Sequence, residues 1–472
     1  MVEVLAAIDA VVWGPAMIAL LLGSHVFLTF KTGFIQRRLP QAIRLSWVGE
    51  KGAEGDISNF GALSTALAAT IGTGSIVGVA TAVLAGGPGA VFWMWIAGIF
   101  GIATKYAEVF VAVKYRVKDH NGEMLGGAMY AWERAFSKGG KTPVAAKAMA
   151  VLFALFAAIA AIGTGSAVQA SAMTGIITAN FDVPQWLIGI VIVVLAGVVI
   201  LGGVQKISGV CERLVPIMAV GYALGCIVIL VMNAPFILPA LQEIVVCAFS
   251  PRAAFGGAVG SGILVALQFG CARGLFSNES GLGSAPIIAA AAQTRNPAHQ
   301  ALVAMTGTFW STVVICLLTG IVLVSTMLAY PDIQAEILAN PSAFTGAKLA
   351  SIAFSKIPVV GTPILVLGMV AFSYSTILGW SYYGSRCAAY LFGKRGVKPY
   401  LAVYVLVAFL GAIGIGDSVW LVSDIGNALM AIPNIIVVLV LSGLVARETR
   451  HYVYDDNLDE ESGDEIPTVM SK

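Results

Sequence analysis

Apolar positions in this chain come in long unbroken runs, each set off by a short stretch carrying Lys, Arg, Asp or Pro. About 20 apolar residues cross a bilayer as a helix. On that template the chain predicts eleven spans: 10–30, 58–86, 90–116, 146–179, 185–204, 213–233, 256–293, 300–329, 360–391, 399–416 and 420–446. They are numbered in that order below. Spans 2 and 7 are too long for simple helices. At about 1.5 Å per residue a span of about 28 residues reaches about 42 Å, against a hydrocarbon core of about 30 Å. Both are expected to be tilted, broken or both.

Composition agrees with an all-α integral membrane protein. Hydrophobic residues make up 58% of the chain and charged residues 11%, whereas a soluble domain carries about 25% charged residues. The net charge of +2 leaves no electrostatic footprint for nucleic acid. The six cysteines are scattered in or beside apolar segments without a C-x-x-C pair, so they read as small core residues rather than disulfides. The chain opens Met-Val-Glu, without a basic n-region, and span 1 is therefore kept as structure.

Basic residues set the orientation. Lys31, Arg37, Arg38, Arg44 and Lys51 follow span 1; Lys118, Arg134, Lys138 and Lys141 follow span 3; Lys206 and Arg213 follow span 5. Arg295, then Lys394, Arg395 and Lys398, then Arg447 and Arg450 follow spans 7, 9 and 11, while the alternate loops hold only Arg252, Lys348 and Lys356. The N-terminus is thus expected outside and the C-terminus in the cytoplasm of a cell-membrane protein. The stretch "GFIQRRLPQAIRLSW" is expected to lie in the interface as an anchor. Residues 1–450 read as one transporter domain and 451–472 as an acidic, disordered tail that keeps the end soluble.

Within span 2, "ATIGTGSIVGVA" places Gly72, Thr73, Gly74 and Ser75 where a helix should continue, and span 7 holds "CARGLFSNESGLGSAP", with three glycines, a proline, an Arg, an Asn and a Glu. Glycine alone is weak testimony, since small residues also let membrane helices pack. Position adds the weight. Each broken segment opens a block of five spans, 2–6 (58–233) and 7–11 (256–446), and an odd number makes the two blocks enter the membrane from opposite sides. Paired interruptions in inverted halves are the sequence mark of a transporter's binding site. Unwinding frees N–H groups, which can hold a carboxylate, and C=O groups, which can hold Na⁺ or an ammonium group. Such backbone is tolerated at membrane depth only where it lines a cavity.

The stretches "ATIGTGSIVGVATA", "GGPGAVFWMWIAGIFGIATKYAE", "RGLFSNESGLGSAPIIAAAA" and "STILGWSYYG" resemble, in order and over nearly the whole chain, the alanine/glycine:cation symporter family, the sodium:alanine symporters. The resemblance implies a LeuT-type fold with one extra helix, 10–30, in front. It also implies symport of Na⁺ with a small neutral amino acid, alanine or glycine. Ser75 stands where family members often carry Asn, and Ser280 stands in "SNESG" where they have "SNEAG". A shorter side chain at Ser75 changes how the carboxylate is held or leaves room for a different substrate.

The same resemblance distributes roles. The carboxylate is expected at the amides of Gly72, Thr73, Gly74 and Ser75, and the amino group at carbonyls from Gly274 to Ser277, with Phe276 as a side wall. Ser375 and Thr376, with the carbonyls of Ala68, Ile71 and Phe372, would give Na⁺ five oxygens, the ligand type a hard cation favours. On the residues alone, those hydroxyls could equally bond back to the i−4 carbonyl. Thr376 and Trp380 share a helix face, and Trp380 is expected as a lid or wall. Gln169 is either a bridge between helices or a pocket residue limiting substrate size. Lys105 and Glu108 read as a structural ion pair. Glu279 reads mainly as an acceptor for freed amides; it and Asp424 are the proton-coupling candidates of the alternative, an H⁺-driven carrier. No nucleophile–base pair, metal spacing or G-x-x-x-x-G-K-[ST] is visible, which disfavours an enzyme or an ATP-driven pump. A channel fits a two-repeat chain poorly. No cofactor beyond the coupling ion is expected, the surrounding partner is lipid, and a monomer is expected.

Overall fold

A computed structural model of the chain describes residues 2–50, 52–250, 263–340, 344–414, 418–463 and 465–469. Among the described residues, eight helices are long and apolar enough to cross a membrane: Glu3–Lys31, Gly89–Lys114, Val144–Thr178, Gly203–Met232, Pro297–Ala329, Gly361–Phe392, Lys394–Ala412 and Leu421–Val440. The remaining segments on the eleven-span list are shorter pieces. Span 5 is Gln185–Ile200. Span 2 is split into Asn59–Thr70 and Val77–Gly86, and span 7 into Ile263–Asn278 and Ala285–Ala289. The predicted start of span 7, at 256, lies outside the described residues.

Local chemistry fixes many of the ends. The Ser58 hydroxyl accepts the Gly61 amide at 2.9 Å, satisfying one donor that a helix N-terminus leaves free. Asn296 does the same for span 8, accepting the His299 amide at 2.9 Å with Pro297 in the first helical position. In span 1, Pro15 cannot continue the preceding helix, and the segment divides into Val2–Val12 and Pro15–Lys31. Span 6 starts at Gly203, ten residues before the 213 read from the sequence. Hydropathy missed that turn because Lys206 and Arg213 point outward while Ile207, Ser208 and Cys211 on the same helix are buried.

Span 3 (Gly89–Lys114) runs through the centre, largely buried against spans 1, 7 and 8. Spans 5 and 6 turn Ile190, Val191, Val194, Leu195, Ile217 and Val220 outward, as a hydrocarbon-facing surface requires. Four helices not foreseen in the sequence lie in loops among the described residues: Ala128–Phe136, Ala234–Phe249, Pro331–Ala339 and Gly346–Ser355. The interfacial stretch forms a 3₁₀ turn, Ile35–Arg38, and a helix, Leu39–Ser46.

The tail departs from its expected disorder. Residues beyond Tyr454 lie along the loops after spans 3 and 7, where Val469 and Ser462 donate their amides to the carbonyls of Lys118 and Arg295, each at 2.8 Å. Composition pointed to disorder because the segment has little to bury. Its main chain is instead held by loop backbone.

Candidate functional site

Span 2 stops being a helix at Ile71, whose ψ of 76° turns the chain out of the α region. A single 3₁₀ turn, Thr73–Ser75, follows before the helix resumes at Val77. Among the described residues the amides of Gly72, Thr73 and Gly74 have no hydrogen-bond acceptor, and the Thr73 hydroxyl is buried without a partner. Gly72 cannot be larger: a Cβ there would stand 2.6 Å from Thr376 Oγ1 and 3.4 Å from Gln169 Oε1.

Span 7 unwinds later than expected. Its first half remains helical to Asn278, and the Glu279 amide still bonds to the Leu275 carbonyl at 2.9 Å. Gly274 is therefore inside the helix, and the break proper is Glu279–Ser284. The carbonyls of Phe276 and Ser277 belong to the last turn, which every helix leaves without amide partners. Glu279, Gly281 and Gly283 have φ of 54°, 90° and 81°, the left-handed conformation that ends helices. The cluster of glycines drew the eye to the right segment, while the helix end is set by Glu279 turning left-handed.

Side chains join the two interruptions. Ser75 Oγ lies 3.0 Å from Ser277 Oγ, which in turn lies 3.0 Å from Cys316 Sγ on span 8. The Phe276 ring covers Gly74, where a Cβ would meet Cδ1 at 3.0 Å. Ser75 is thus already occupied by a partner across the site, a relationship the sequence did not show.

The expected cation corner gathers four of its five oxygens. Thr376 Oγ1 is 2.8 Å from the Ala68 carbonyl and 2.9 Å from that of Phe372; Ser375 Oγ is 3.4 Å and 2.9 Å from the same two. Ala68 O is open to this use because the Gly72 amide, its helical partner, has left the helix. Both hydroxyls also reach back within their own helix, so the two sequence readings coexist in one geometry. The Ile71 carbonyl stands at the helix end without a contact to either hydroxyl. The donor set is oxygen throughout, which fits a hard monovalent cation.

Gln169 faces the break and is held from behind: its Nε2 donates to the Thr164 carbonyl at 3.0 Å, leaving Oε1 buried and unpartnered near Gly72. Thr164 belongs to a π-helical stretch, Ala161–Ala167, of the kind that interrupts helices at functional sites. Its hydroxyl accepts from Asn427 Nδ2 at 2.7 Å and pairs closely with Ser423, both on span 11. Trp380 packs against Gly165, with its indole N–H buried and unpartnered. Thr164, Asn427, Ser423 and Cys316 were missed by the sequence reading. A signal existed for the first: the run IGTGS at 71–75 recurs at 162–166.

Charged groups brace the span 7 break from span 3. Lys105 Nζ is 2.9 Å from Glu108 and donates at 2.9 Å to the Glu279 carbonyl. Glu108 accepts the Gly281 amide at 3.0 Å and Asn434 Nδ2 at 2.9 Å, and Ser284 donates to the Glu279 carboxyl at 2.5 Å. The pair is structural, as expected. Arg273 and Asp424 are only loosely engaged, at 3.8 Å.

The two ends of the site differ. Toward the predicted outside, a cavity of about 530 Å³ runs from Thr73 and Gly74 past Phe276 and Arg273 to Phe344 and Gly346. Toward the predicted inside, spans 2 and 7 are sewn together: Asp56 N bonds to Ala291 O and Gln293 N to Ile57 O, both at 2.8 Å. Gly55 lies so close that a Cβ would be 2.3 Å from Gln293 N. Arg116 ties the knot, donating to the carbonyls of Ala292 (2.9 Å), Glu54 (3.2 Å), Thr294 (3.3 Å) and Ala290 (3.4 Å). Burial pulls its pKa down, against the opposing charges of Glu54, Asp56 and Glu50. Burial likewise raises that of Asp56, whose carboxylate accepts the Met124 amide.

Comparison with known proteins gives the same picture. Residues 1–465 match the model of the sodium:alanine symporter family. The chain is 46% identical over 455 residues to the sodium/alanine symporter AgcS of Methanococcus maripaludis, covering 96% of this chain and 97% of that one. It is 30% identical to the amino-acid carrier protein AlsT of Bacillus subtilis, over 92% and 88% of the two chains. Among solved structures, MhsT in complex with L-phenylalanine superposes with a TM-score of 0.56 at 14% identity, over 86% of this chain and 95% of that chain. A Na⁺-coupled sialic acid symporter gives 0.50 at 13%, over 93% and 85%. These likenesses establish a LeuT-type fold. A multi-pass helical chain with paired interruptions and this sequence kinship is a carrier rather than an enzyme, and it belongs to the sodium:alanine symporter family.

Proposed function

We propose that this protein couples the inward movement of Na⁺ to uptake of a small neutral amino acid, alanine or glycine, across the cell membrane by alternating access. The observation that carries the reading is the junction at Gly72: amides without acceptors on one side, the Ala68 carbonyl released toward Ser375 and Thr376 on the other. One unwound turn thereby offers partial positive charge to a carboxylate and partial negative charge to a cation within a few residues. Binding of either orders the strand that the other needs, which is a coupling free energy between sites. The last-turn carbonyls of Phe276 and Ser277 in span 7 take the ammonium group. Trp380, Phe276 and Gln169 bound the space left for the side chain.

The name of AgcS supports Na⁺ and alanine, and the family name supports both. The energetics suit one ion per substrate. A charge moving through 100 mV supplies about 2.3 kcal/mol and a tenfold Na⁺ gradient about 1.4 kcal/mol. Together they sustain roughly 500-fold accumulation. With the N-terminus outside, the cavity over Thr73 is the outer vestibule and the Arg116 knot is the closed inner gate. Titration calorimetry on the purified carrier tests the coupling: alanine heat that depends on Na⁺ and not on K⁺ supports the reading, and equal heat in both ions contradicts it.

A further inference from the structure

The carboxy-terminal segment is attached to the same few residues that close the inner gate. Lys118 donates its amide to Pro467 at 3.0 Å and accepts that of Val469 at 2.8 Å, so the tail adds a short parallel pairing at Thr468. Asn296 Nδ2 donates to the carbonyls of Leu458 (2.7 Å) and Glu460 (2.9 Å), and the Ser462 amide bonds to Arg295 O at 2.8 Å. Both anchors sit beside the knot. The Lys118 side chain reaches Glu54 at 2.7 Å, and the carbonyl of Thr294, next to Arg295, is held by Arg116. A cavity of about 420 Å³ is walled on one side by Glu54, Arg116 and Arg295 and on the other by Glu461, Glu465 and Ile466.

We propose that residues 455–463 and 465–469 form a strap that holds the inner gate shut and must come off before the carrier opens inward. The inference rests on the Arg116 seam being that gate. The composition fits a reversible strap. The segment is acidic, with Asp455, Asp456, Asp459, Glu460, Glu461 and Glu465, and it docks beside cations through backbone bonds. Released, its carboxylates are solvated at once, and the apolar cost is confined to Leu458, Ile466 and Val469, which pack against the core. A hydrophobic segment in the same place would not come off readily. Lys118 and Arg295–Asn296 belong to the loops after spans 3 and 7, so the strap joins the inner end of span 7 to the inner end of span 3.

The test is the maleimide labelling rate of Ile57→Cys, a position buried in the seam, in purified full-length protein with Cys247→Ser. The same is measured in a chain ending at Tyr454 and in Asn296→Asp. The last keeps the oxygen that caps span 8 and loses the amide donor to Leu458 and Glu460. The strap predicts labelling faster by at least about threefold in the truncated chain, and faster also in Asn296→Asp, which loses both hydrogen bonds of the Asn296 amide. Unchanged labelling in a truncated chain that unfolds at the same temperature as the full-length protein overturns it. Should truncation prevent folding, Asn296→Asp decides alone, and no change there overturns it equally. The assay needs no substrate, so a wrong amino acid or ion leaves it readable. Absence of labelling in every form, under every ion and substrate condition, would show that the seam is not a gate and would remove the strap with it.

Discussion

Ser75 and Ser277, 202 positions apart in sequence, meet with their hydroxyls 3.0 Å from each other and so tie the broken turn of span 2 to the end of the first helix of span 7. A buried hydroxyl needs a partner. Each serves the other, and the pair holds the two breaks in the geometry that receives the substrate. Ser277→Ala removes one partner from Ser75 and costs about 1 kcal/mol, or about fivefold in substrate affinity. Ser75→Asn brings a second amide donor and is expected to change which amino acid binds best. Competition binding with alanine, glycine and serine measures both.

Gly72→Ala places a methyl group 2.6 Å from the Thr376 hydroxyl. Overpacking of this kind costs about 1–3 kcal/mol, and here it falls on the group that faces both ligands. The expected outcome is a folded carrier with no Na⁺-dependent uptake. Gly78→Ala, where nothing lies within 4 Å, serves as the control and is expected to transport normally.

Thr376→Val keeps the shape and removes the oxygen that lies 2.8 Å from Ala68 O. The Na⁺ concentration for half-maximal uptake should rise by about tenfold, the worth of a strong polar contact. Alanine affinity at saturating Na⁺ should change much less. Equal loss in both would place Thr376 in the substrate site alone.

Lys105→Met leaves Glu108 buried without its cation and the Glu279 carbonyl without its donor. Breaking one side of a buried pair costs about 3–5 kcal/mol, while replacing both sides is far milder. Thermal unfolding in detergent should therefore show a large drop for Lys105→Met and a partial recovery for Lys105→Met with Glu108→Leu.

Asn427→Ala frees the Thr164 hydroxyl that steadies the carbonyl behind Gln169. Gln169 touches the break and Asn427 acts through it, so substrate KM should rise with little change in Na⁺ dependence. Asn427→Asp, which keeps the shape but loses the donor, should behave like the alanine variant.

Architecture was legible because hydrocarbon leaves the chain few choices. Apolar run lengths gave the spans, and two segments such as Gly72–Ser75 and Glu279–Pro286 could not be continuous helices. The corner of Ala68, Phe372, Ser375 and Thr376 came from family resemblance, and the structure shows those residues gathered. What stayed hidden depended on rotation about helix axes. Ser75 meeting Ser277, Asn427 reaching Thr164 and the end of span 7 at Glu279 instead of Gly274 follow from side-chain packing that periodicity does not encode. The tail was misjudged for a related reason: its acidic composition hides the few apolar residues it packs against the core, Leu458, Ile466 and Val469, and the main-chain bonds that dock it.

Everything proposed for the site turns on Na⁺ driving the amino acid across. The most direct test is uptake of labelled alanine and glycine into liposomes holding this protein alone, with inward Na⁺, K⁺ or H⁺ gradients imposed one at a time. Accumulation above equilibrium under the Na⁺ gradient, and under neither of the others, is the predicted result. Accumulation under the H⁺ gradient alone would contradict it and transfer the coupling role to Glu279 or Asp424.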